Sequence, residues 1–191
     1  MDSQSISVRE AVEAVNQQAS IEMKRGIALL DENTPASLSD AIGHFDRAIE
    51  LRCGLPLDAN PFFRHGLAAG WMNRGDALTR LGSPADLTAA LQSHETALEV
   101  LHLLPLDQNP LFRRRLAIAW QNRGITLQAQ GDFGEAAKSF AEAIAVLQNE
   151  TAVAIADRNY LLAAAWMNQA NAFVRGHESR RRHFAAGVLR K

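Results

Sequence analysis

Six histidines and one cysteine are the side chains of this sequence best suited to holding a metal ion or attacking a substrate. The histidines are His44, His65, His94, His102, His177 and His183. None forms a metal-binding spacing such as His-Glu-x-x-His, and none recurs at a fixed interval. Cys53 has no neighbour in the sequence that would activate a thiolate. Glycine-rich phosphate loops and nucleophile elbows are also missing. We therefore predict a protein with no enzymatic activity, no cofactor and no bound metal.

A basic cluster near the end of the sequence could still bind an anion. His177 and His183 stand on either side of Arg180, Arg181 and Arg182. The same cluster could instead be a solvated polar cap on the last helix, which is the commoner role of a charged run. We favour the solvated cap, on a short basic helix that follows Gly176 and covers about 180–189.

The overall charge argues against a general nucleic-acid partner. The 191 residues carry a formal net charge of −1, with an isoelectric point near 6.6, so there is no global basic field. The single cysteine fits a reducing compartment. The sequence shows no secretory signal and no run of eighteen apolar residues. We expect a cytoplasmic protein with no membrane contact.

The three tryptophans reveal an internal repeat. Trp71 and Trp120 are each followed two, three and four residues later by Asn, Arg and Gly, and Trp166 is followed two residues later by Asn168. The spacing from 71 to 120 is 49 residues, and from 120 to 166 it is 46. Such a period predicts stacked units that bury their apolar faces against one another. We predict one solenoid domain over 1–191, with repeats at about 8–58, 59–107, 108–150 and 151–191, the last of them partial.

Each repeat has the pattern of two helices. From Pro61 to Leu81 the apolar residues recur at intervals of three and four, which is typical of an amphipathic helix. Asn60 is a good N-cap, and Gly82 can end the helix in a left-handed conformation. Asn109, Pro110 and Gly131 repeat these signals one unit later. Ser83 and Asp132 each begin a second helix, and no segment has the pattern of a strand. The fold class is therefore predicted to be all-α.

Residues 117–147 resemble the tetratricopeptide repeat. The matching residues are Ala117, Ala119, Trp120, Asn122, Gly124, Leu127, Gly131, Asp132, Phe133, Glu135, Ala136, Phe140 and Ala143. The resemblance implies a right-handed α-solenoid of antiparallel helix pairs. The repeats differ from the family's usual 34 residues in having a first helix lengthened to about 22 residues, or roughly 33 Å. They also carry Arg25, Arg74 and Arg123 where the family commonly has leucine. We expect each arginine to extend its charged end to solvent or to pair with a carboxylate on a neighbouring helix, with Glu50 and Glu99 as the candidates.

The resemblance further implies a concave groove lined by the first helices of successive repeats. The predicted groove residues are Met23, Ile27, Met72, Asp76, Arg80, Ile118, Gln121, Ile125, Met167, Asn171 and Arg175. Members of the family that bind chaperone C-termini have lysines just after the tryptophan position. Here those positions hold methionine or glutamine, so we predict no carboxylate clamp.

The most consistent function is a protein-interaction scaffold that binds an apolar peptide or an amphipathic helix in this groove. A first alternative is a self-associating structural module, or internal packing that simply covers the same side chains. A second is an RNA-binding helical repeat. That alternative requires a basic stripe with stacking aromatic residues, whereas the predicted groove contains no aromatic residue and only two basic ones.

Overall fold

The computed structural model describes residues 3–148 and 155–188, and every regular element in these ranges is an α-helix. The helices are α1 (Ser3–Glu32), α2 (Pro35–Cys53), α3 (Pro61–Leu81), α4 (Pro84–His102), α5 (Pro110–Gln130), α6 (Phe133–Gln148) and α7 (Ile155–Val188). The predicted all-α class is confirmed. Helices α3 and α5 each contain 21 residues, close to the predicted length.

The helix caps predicted from the sequence are present in the structure. The side chains of Asn60 and Asn109 accept hydrogen bonds from backbone amides at the start of α3 and α5. Gly82 and Gly131 end these helices with φ angles of 76° and 86°, in the left-handed region that glycine adopts without strain. The side chain of Asp132 accepts a hydrogen bond from the Glu135 amide and so caps α6.

The chain divides into two compact units, residues 1–106 and 107–191. In the first unit, α1 packs against α2, α2 against α3 and α3 against α4. Its buried apolar cluster includes Met23, Phe45 and Ala77, which come from three different helices. Consecutive helices therefore pack in pairs, as a helical repeat requires.

The second unit repeats this arrangement with α5, α6 and α7. Helix α6 packs against both α5 and α7. The core includes Ala117, Ile144, Leu161 and Ala165, with Trp120 partly buried against it. Each unit thus contains the same consecutive helix packing. The repeat boundaries and the single continuous solenoid stay predictions.

The end of α7 differs from the sequence prediction. We expected a helix boundary at Gly176 followed by a short basic helix, but α7 continues through Gly176 to Val188. The reason lies in the repeat register. The third and fourth repeats are 46 residues apart, so the counterpart of Gly131 is residue 177 and not Gly176. His177 stands where α5 has the left-handed Gly131, and a histidine does not favour that conformation. The expected helix also included residue 189, which lies outside the described residues.

Candidate protein-interaction surface

The predicted groove methionines of the first unit are buried. Met23 and Met72 expose only 7% and 2% of their surface. Met23 belongs to the apolar cluster that contains Phe45 and Ala77. These two methionines therefore contribute to helix packing, which is the role that the internal-packing alternative assigned to them.

The other predicted groove residues of the first unit lie at its surface. Ile27 is exposed. The guanidinium of Arg80 donates to the Asp76 carboxylate at 2.9 Å and to the Leu30 carbonyl at 3.1 Å. This arginine therefore links α3 to α1, and its donors are partly used within the protein.

The second unit leaves most of its predicted groove residues accessible. Gln121 is buried, and its side-chain amide donates to the Leu161 carbonyl of α7 at 3.3 Å. Ile118 is half-buried. The exposed members are Ile125, Met167, Asn171 and Arg175. The accessible residues are thus concentrated on α5 and α7.

Helix α7 presents an apolar face that the predicted groove includes only in part. Trp166, Met167, Phe173 and Val174 are 50%, 61%, 61% and 58% exposed. Ala163 and Ala170 are also exposed, and they lie on the same side of the helix. We call the six residues Ala163, Trp166, Met167, Ala170, Phe173 and Val174 the α7 open face. The opposite side of the helix, which includes Leu161, Leu162, Ala165 and Ala172, is buried.

The repeat register shows that equivalent positions are normally covered. Ala163 and Phe173 lie 46 residues after Ala117 and Leu127 of α5. Ala117 is fully buried and Leu127 is 4% exposed, against 61% for Phe173. Leu78, the counterpart of Phe173 in α3, is 6% exposed. The α7 open face therefore has the composition of a buried surface but lies exposed.

Glycine contacts identify the element that covers this surface elsewhere. A Cβ atom built on Gly124 would lie 2.6 Å from Cε1 of Phe140, on α6. A Cβ atom on Gly75 would lie 2.5 Å from Cε1 of His94, on α4. The second helix of each pair thus covers the first, and the counterpart of these glycines in α7 is the exposed Ala170.

A basic segment follows the α7 open face. Arg175, Arg180, Arg181 and Arg182 are exposed, and the single acid among them is Glu178. The nearest ion pair is loose, with 3.6 Å between Arg182 Nη2 and Glu178 Oε2. The cluster is exposed on the described part of α7, and the choice between a solvated polar cap and an anion-binding patch stays a prediction. The side chain of His183 lies outside the described residues.

The side chain of Arg74 bonds to polar groups on two neighbouring helices, α2 and α4. Arg74 donates to the Asp46 carboxylate and to the Ser93 hydroxyl, both at 2.7 Å. Its guanidinium carbon also lies 5.7 Å from the centre of the Trp71 ring, within the range of a cation–π contact. The expected pairing of Arg74 with a carboxylate on a neighbouring helix is therefore confirmed, but the carboxylate is that of Asp46 on α2 rather than Glu50 or Glu99.

The same arrangement recurs in the second unit. Arg123 donates to the Ser139 hydroxyl at 2.7 Å, and its guanidinium carbon lies 5.8 Å from the centre of the Trp120 ring. The serine is buried on the second helix of the pair. Each arginine thus stacks on the tryptophan of its own helix and bonds to a buried serine of the next.

In the first repeat a polar cluster replaces this arrangement. Glu22 stands in the tryptophan position and is 5% exposed. Its carboxylate lies 2.7 Å from His44 Nδ1, 3.0 Å from Arg47 Nε and 3.1 Å from Arg25 Nη1. Hydrogen bonds from His44 and Arg47 lower the pKa of Glu22 to about 2. The carboxylate is therefore ionised and fully partnered.

A shallow cavity of about 510 Å³ lies between the start of α6 and the end of α7, and a second of about 600 Å³ lies beside Glu22. The second is lined by Val15, Gln18, Glu22, Arg47, Glu50, Leu51 and Gly54. This cluster was not predicted from the sequence. In the repeat register, Glu22 stands where the later repeats have tryptophan, and His44 stands where they have serine. These two changes together were the sequence signal for a polar cluster.

The surroundings of Cys53 and His94 do not favour the reactive thiolate or the charged imidazole. Partial burial raises the pKa of the Cys53 thiol, which opposes formation of a thiolate. Burial lowers the pKa of His94 to about 4, so its ring is neutral near pH 7. In residues 3–148 and 155–188, no three of His, Cys, Asp or Glu are grouped so that they could hold a metal ion.

Two searches gave no match: no protein-family model matches the chain, and no curated protein matches it. Within the described ranges, no helix combines the length and apolar character needed to cross a membrane.

Proposed function

We propose that this protein is a non-catalytic, tetratricopeptide-like scaffold that binds an amphipathic helix or apolar segment of another protein. The observation that carries the proposal is the α7 open face. Single exposed apolar residues are ordinary on protein surfaces, but a continuous apolar helix face is typical of an interaction site. The repeat register and the consecutive helix pairs support the tetratricopeptide-like fold and its right-handed superhelix as parts of this proposal.

The concave groove stays a second, weaker candidate for the binding surface. Of its apolar members, Ile27, Ile125 and Met167 are exposed and accessible to a ligand. Met23 and Met72 are buried and cannot contact a ligand without repacking. We therefore place the main binding surface on α7, where Met167 belongs to both candidates.

Two other functions would use the same surface. In a homo-oligomer, the α7 open faces of two copies would pair. In an RNA-binding protein, Trp166 and Phe173 would stack on bases while the arginines that follow contact phosphates. We favour a helical partner because the equivalent faces of α3 and α5 are each covered by the next helix in the chain. That helix, α4 or α6, differs in composition from the helix that it covers, whereas two copies of this chain would pair identical α7 faces. The mixture of aliphatic and small residues between the two aromatic rings also suits a helix better than a row of bases.

We also propose a cytoplasmic location. The support is that the sequence has a single cysteine and so cannot form a disulfide within the chain, which suits a reducing compartment. Fractionation of cells that express a tagged chain would test it, and recovery of the chain outside the cytoplasm would contradict it.

The proposal can be tested by affinity capture with paired variants, read by mass spectrometry. The test variant is Met167→Glu/Phe173→Glu, which places two charges on the α7 open face. The matched control is Phe62→Glu/Leu103→Glu, which changes one phenylalanine and one aliphatic residue that are 51% and 66% exposed elsewhere. All four positions are exposed, so both variants are expected to fold, and circular dichroism would verify this.

We expect a partner that the native chain and the control variant both capture and that the test variant loses. Equal capture by all three proteins, or no captured protein at all, would overturn the proposal. Two results would replace it. Concentration-dependent mass in light scattering, abolished in the test variant, would assign the face to self-association. Binding of single-stranded RNA that is lost in the test variant would assign it to nucleic acid.

A further inference from the structure

We propose that the α7 open face takes a partner's amphipathic helix in the place that α6 takes on α5. The helix would run antiparallel to α7, with a side chain smaller than phenylalanine opposite Ala170 and acidic residues in its first turn. This inference rests on the proposed function and names the chemistry of the partner.

The position of the helix follows from the two pairs that are complete in the chain. In α5 and α6, a turn at Gly131 and Asp132 reverses the chain, and Phe140 then lies against Gly124. The covered positions of α5 include Ala117, Gly124 and Leu127. Because α7 has an apolar or small residue at each counterpart position, a helix in the same place would bury the same stripe.

The residue opposite Ala170 must be smaller than in the chain's own pairs. The Cβ atom that Gly124 lacks would lie 2.6 Å from the Phe140 ring, much closer than two carbon atoms can pack. Ala170 has this Cβ atom. A helix with phenylalanine at that position would therefore be displaced, whereas leucine or alanine leaves room for the methyl group. Ala170 thus selects among helices that are otherwise similar.

The charge preference follows from the antiparallel direction. The counterpart of Gly131 in α7 is His177, so the docked helix would begin beside His177. Arg180 and Arg181 follow within about one helical turn. The start of a helix carries a partial positive charge, which these arginines would repel unless acidic side chains offset it. The chain's own second helices have such acids, Asp86 in α4 and Glu135 in α6.

The chain itself supplies the probe for a test. A fluorescent peptide of residues 132–148 has the sequence of α6 with its N-cap, and a second peptide carries Phe140→Leu. Their binding to the full chain would be measured by fluorescence anisotropy. The protein variants are Ala170→Gly, which removes the Cβ atom, and Ala163→Gly, a control with the same loss of helix propensity on the same face. Melting curves would verify that both variants fold.

We expect the leucine peptide to bind the native chain about tenfold more tightly than the phenylalanine peptide, since relief of overpacking is of this size. Ala170→Gly should remove most of this preference, and Ala163→Gly should preserve it. Phe173→Glu should abolish binding of both peptides. Equal binding of the two peptides to the native chain, or binding that survives Phe173→Glu, would overturn the inference.

The orientation has its own test. Arg180→Glu/Arg181→Glu should weaken binding several-fold at low salt, and a peptide with Asp132→Lys/Glu135→Lys should regain what was lost. If the charge-reversed peptide does not bind the Arg180→Glu/Arg181→Glu variant more tightly than the unchanged peptide does, the antiparallel placement is wrong. If the peptides fail both tests while affinity capture still depends on Met167 and Phe173, the proposed function stands and only this inference falls. If capture fails too, both fall.

Discussion

Gly75 and His94 approach so closely that a Cβ atom on the glycine would lie 2.5 Å from the Cε1 atom of the imidazole. The ring is 1% exposed, so it fills the space left by the missing side chain between α3 and α4. Gly124 and Phe140 have the same relationship between α5 and α6. A glycine on the first helix and a ring on the second thus set the spacing of each pair.

This relationship predicts that Gly75→Ala destabilises the protein. The new methyl group must displace a buried ring, which costs about 1–3 kcal/mol despite the better helix propensity of alanine. Gly43→Ala is the matched control, because a Cβ atom there meets only the end of the Arg47 side chain at 3.7 Å. It should be neutral or should stabilise the protein by up to about 1 kcal/mol. Urea unfolding of both variants measures the difference, and equal effects would contradict the packing described.

His94 predicts a loss of stability in mild acid. Its pKa is lowered by burial from 6.5 to about 4, so the unfolded chain binds a proton more readily between these values. The folded state keeps its full stability above pH 6.5, where the ring is neutral in both states. Stability is lost as the pH falls toward 4, and the total loss is about 3 kcal/mol. His94→Phe should remove this dependence, since phenylalanine occupies the same register in α2 and α6. Unfolding curves from pH 7 to 4 test it, and identical pH profiles would count against a buried neutral ring.

Glu22 predicts a second, more acidic transition. Glu22→Gln keeps the shape of the side chain but removes the charge that binds Arg25, His44 and Arg47, and it should cost about 1–3 kcal/mol at pH 7. Because the pKa of Glu22 is lowered from 4.5 to about 2, the advantage of the native chain should persist above pH 4.5. It should then shrink as the pH falls toward 2. Glu50→Gln, exposed beside the same cavity, is the control and should change stability by less than about 0.5 kcal/mol.

The tryptophans predict an asymmetric response to truncation. Trp120 packs against the core of the second unit and below Arg123, so Trp120→Ala should cost about 2–4 kcal/mol. Trp166 is 50% exposed, and Trp166→Ala should cost less than about 1 kcal/mol while it weakens partner binding. Thermal unfolding of the two variants decides this. A large loss of stability from Trp166→Ala would show that the α7 open face is covered in solution.

Local chemistry explains why much of the fold was predictable. Asn60, Pro61 and Gly82 act on the backbone within a few residues of their own positions, so the bounds of α3 follow from sequence order alone. The repeat then carries the same signals to α5. The continuation of α7 past Gly176 was missed although His177 was the available signal, since the left-handed position falls one residue later than the glycine.

The bonding partners and the exposure of a side chain depend on which residues lie near it in space. The sequence alone does not give the distances between residues that are far apart in the chain. The tryptophan register determined that Trp71, Trp120 and Trp166 occupy equivalent places, and the pattern of apolar residues determined the helices. Only the tertiary structure decided that Arg74 bonds to Asp46 and Ser93, and that Met72 is buried while Met167 is exposed. The physical reason is that burial depends on which helices pack on either side: α3 and α5 are covered by the helices that follow them, and the outer face of α7 is covered by none of the described residues.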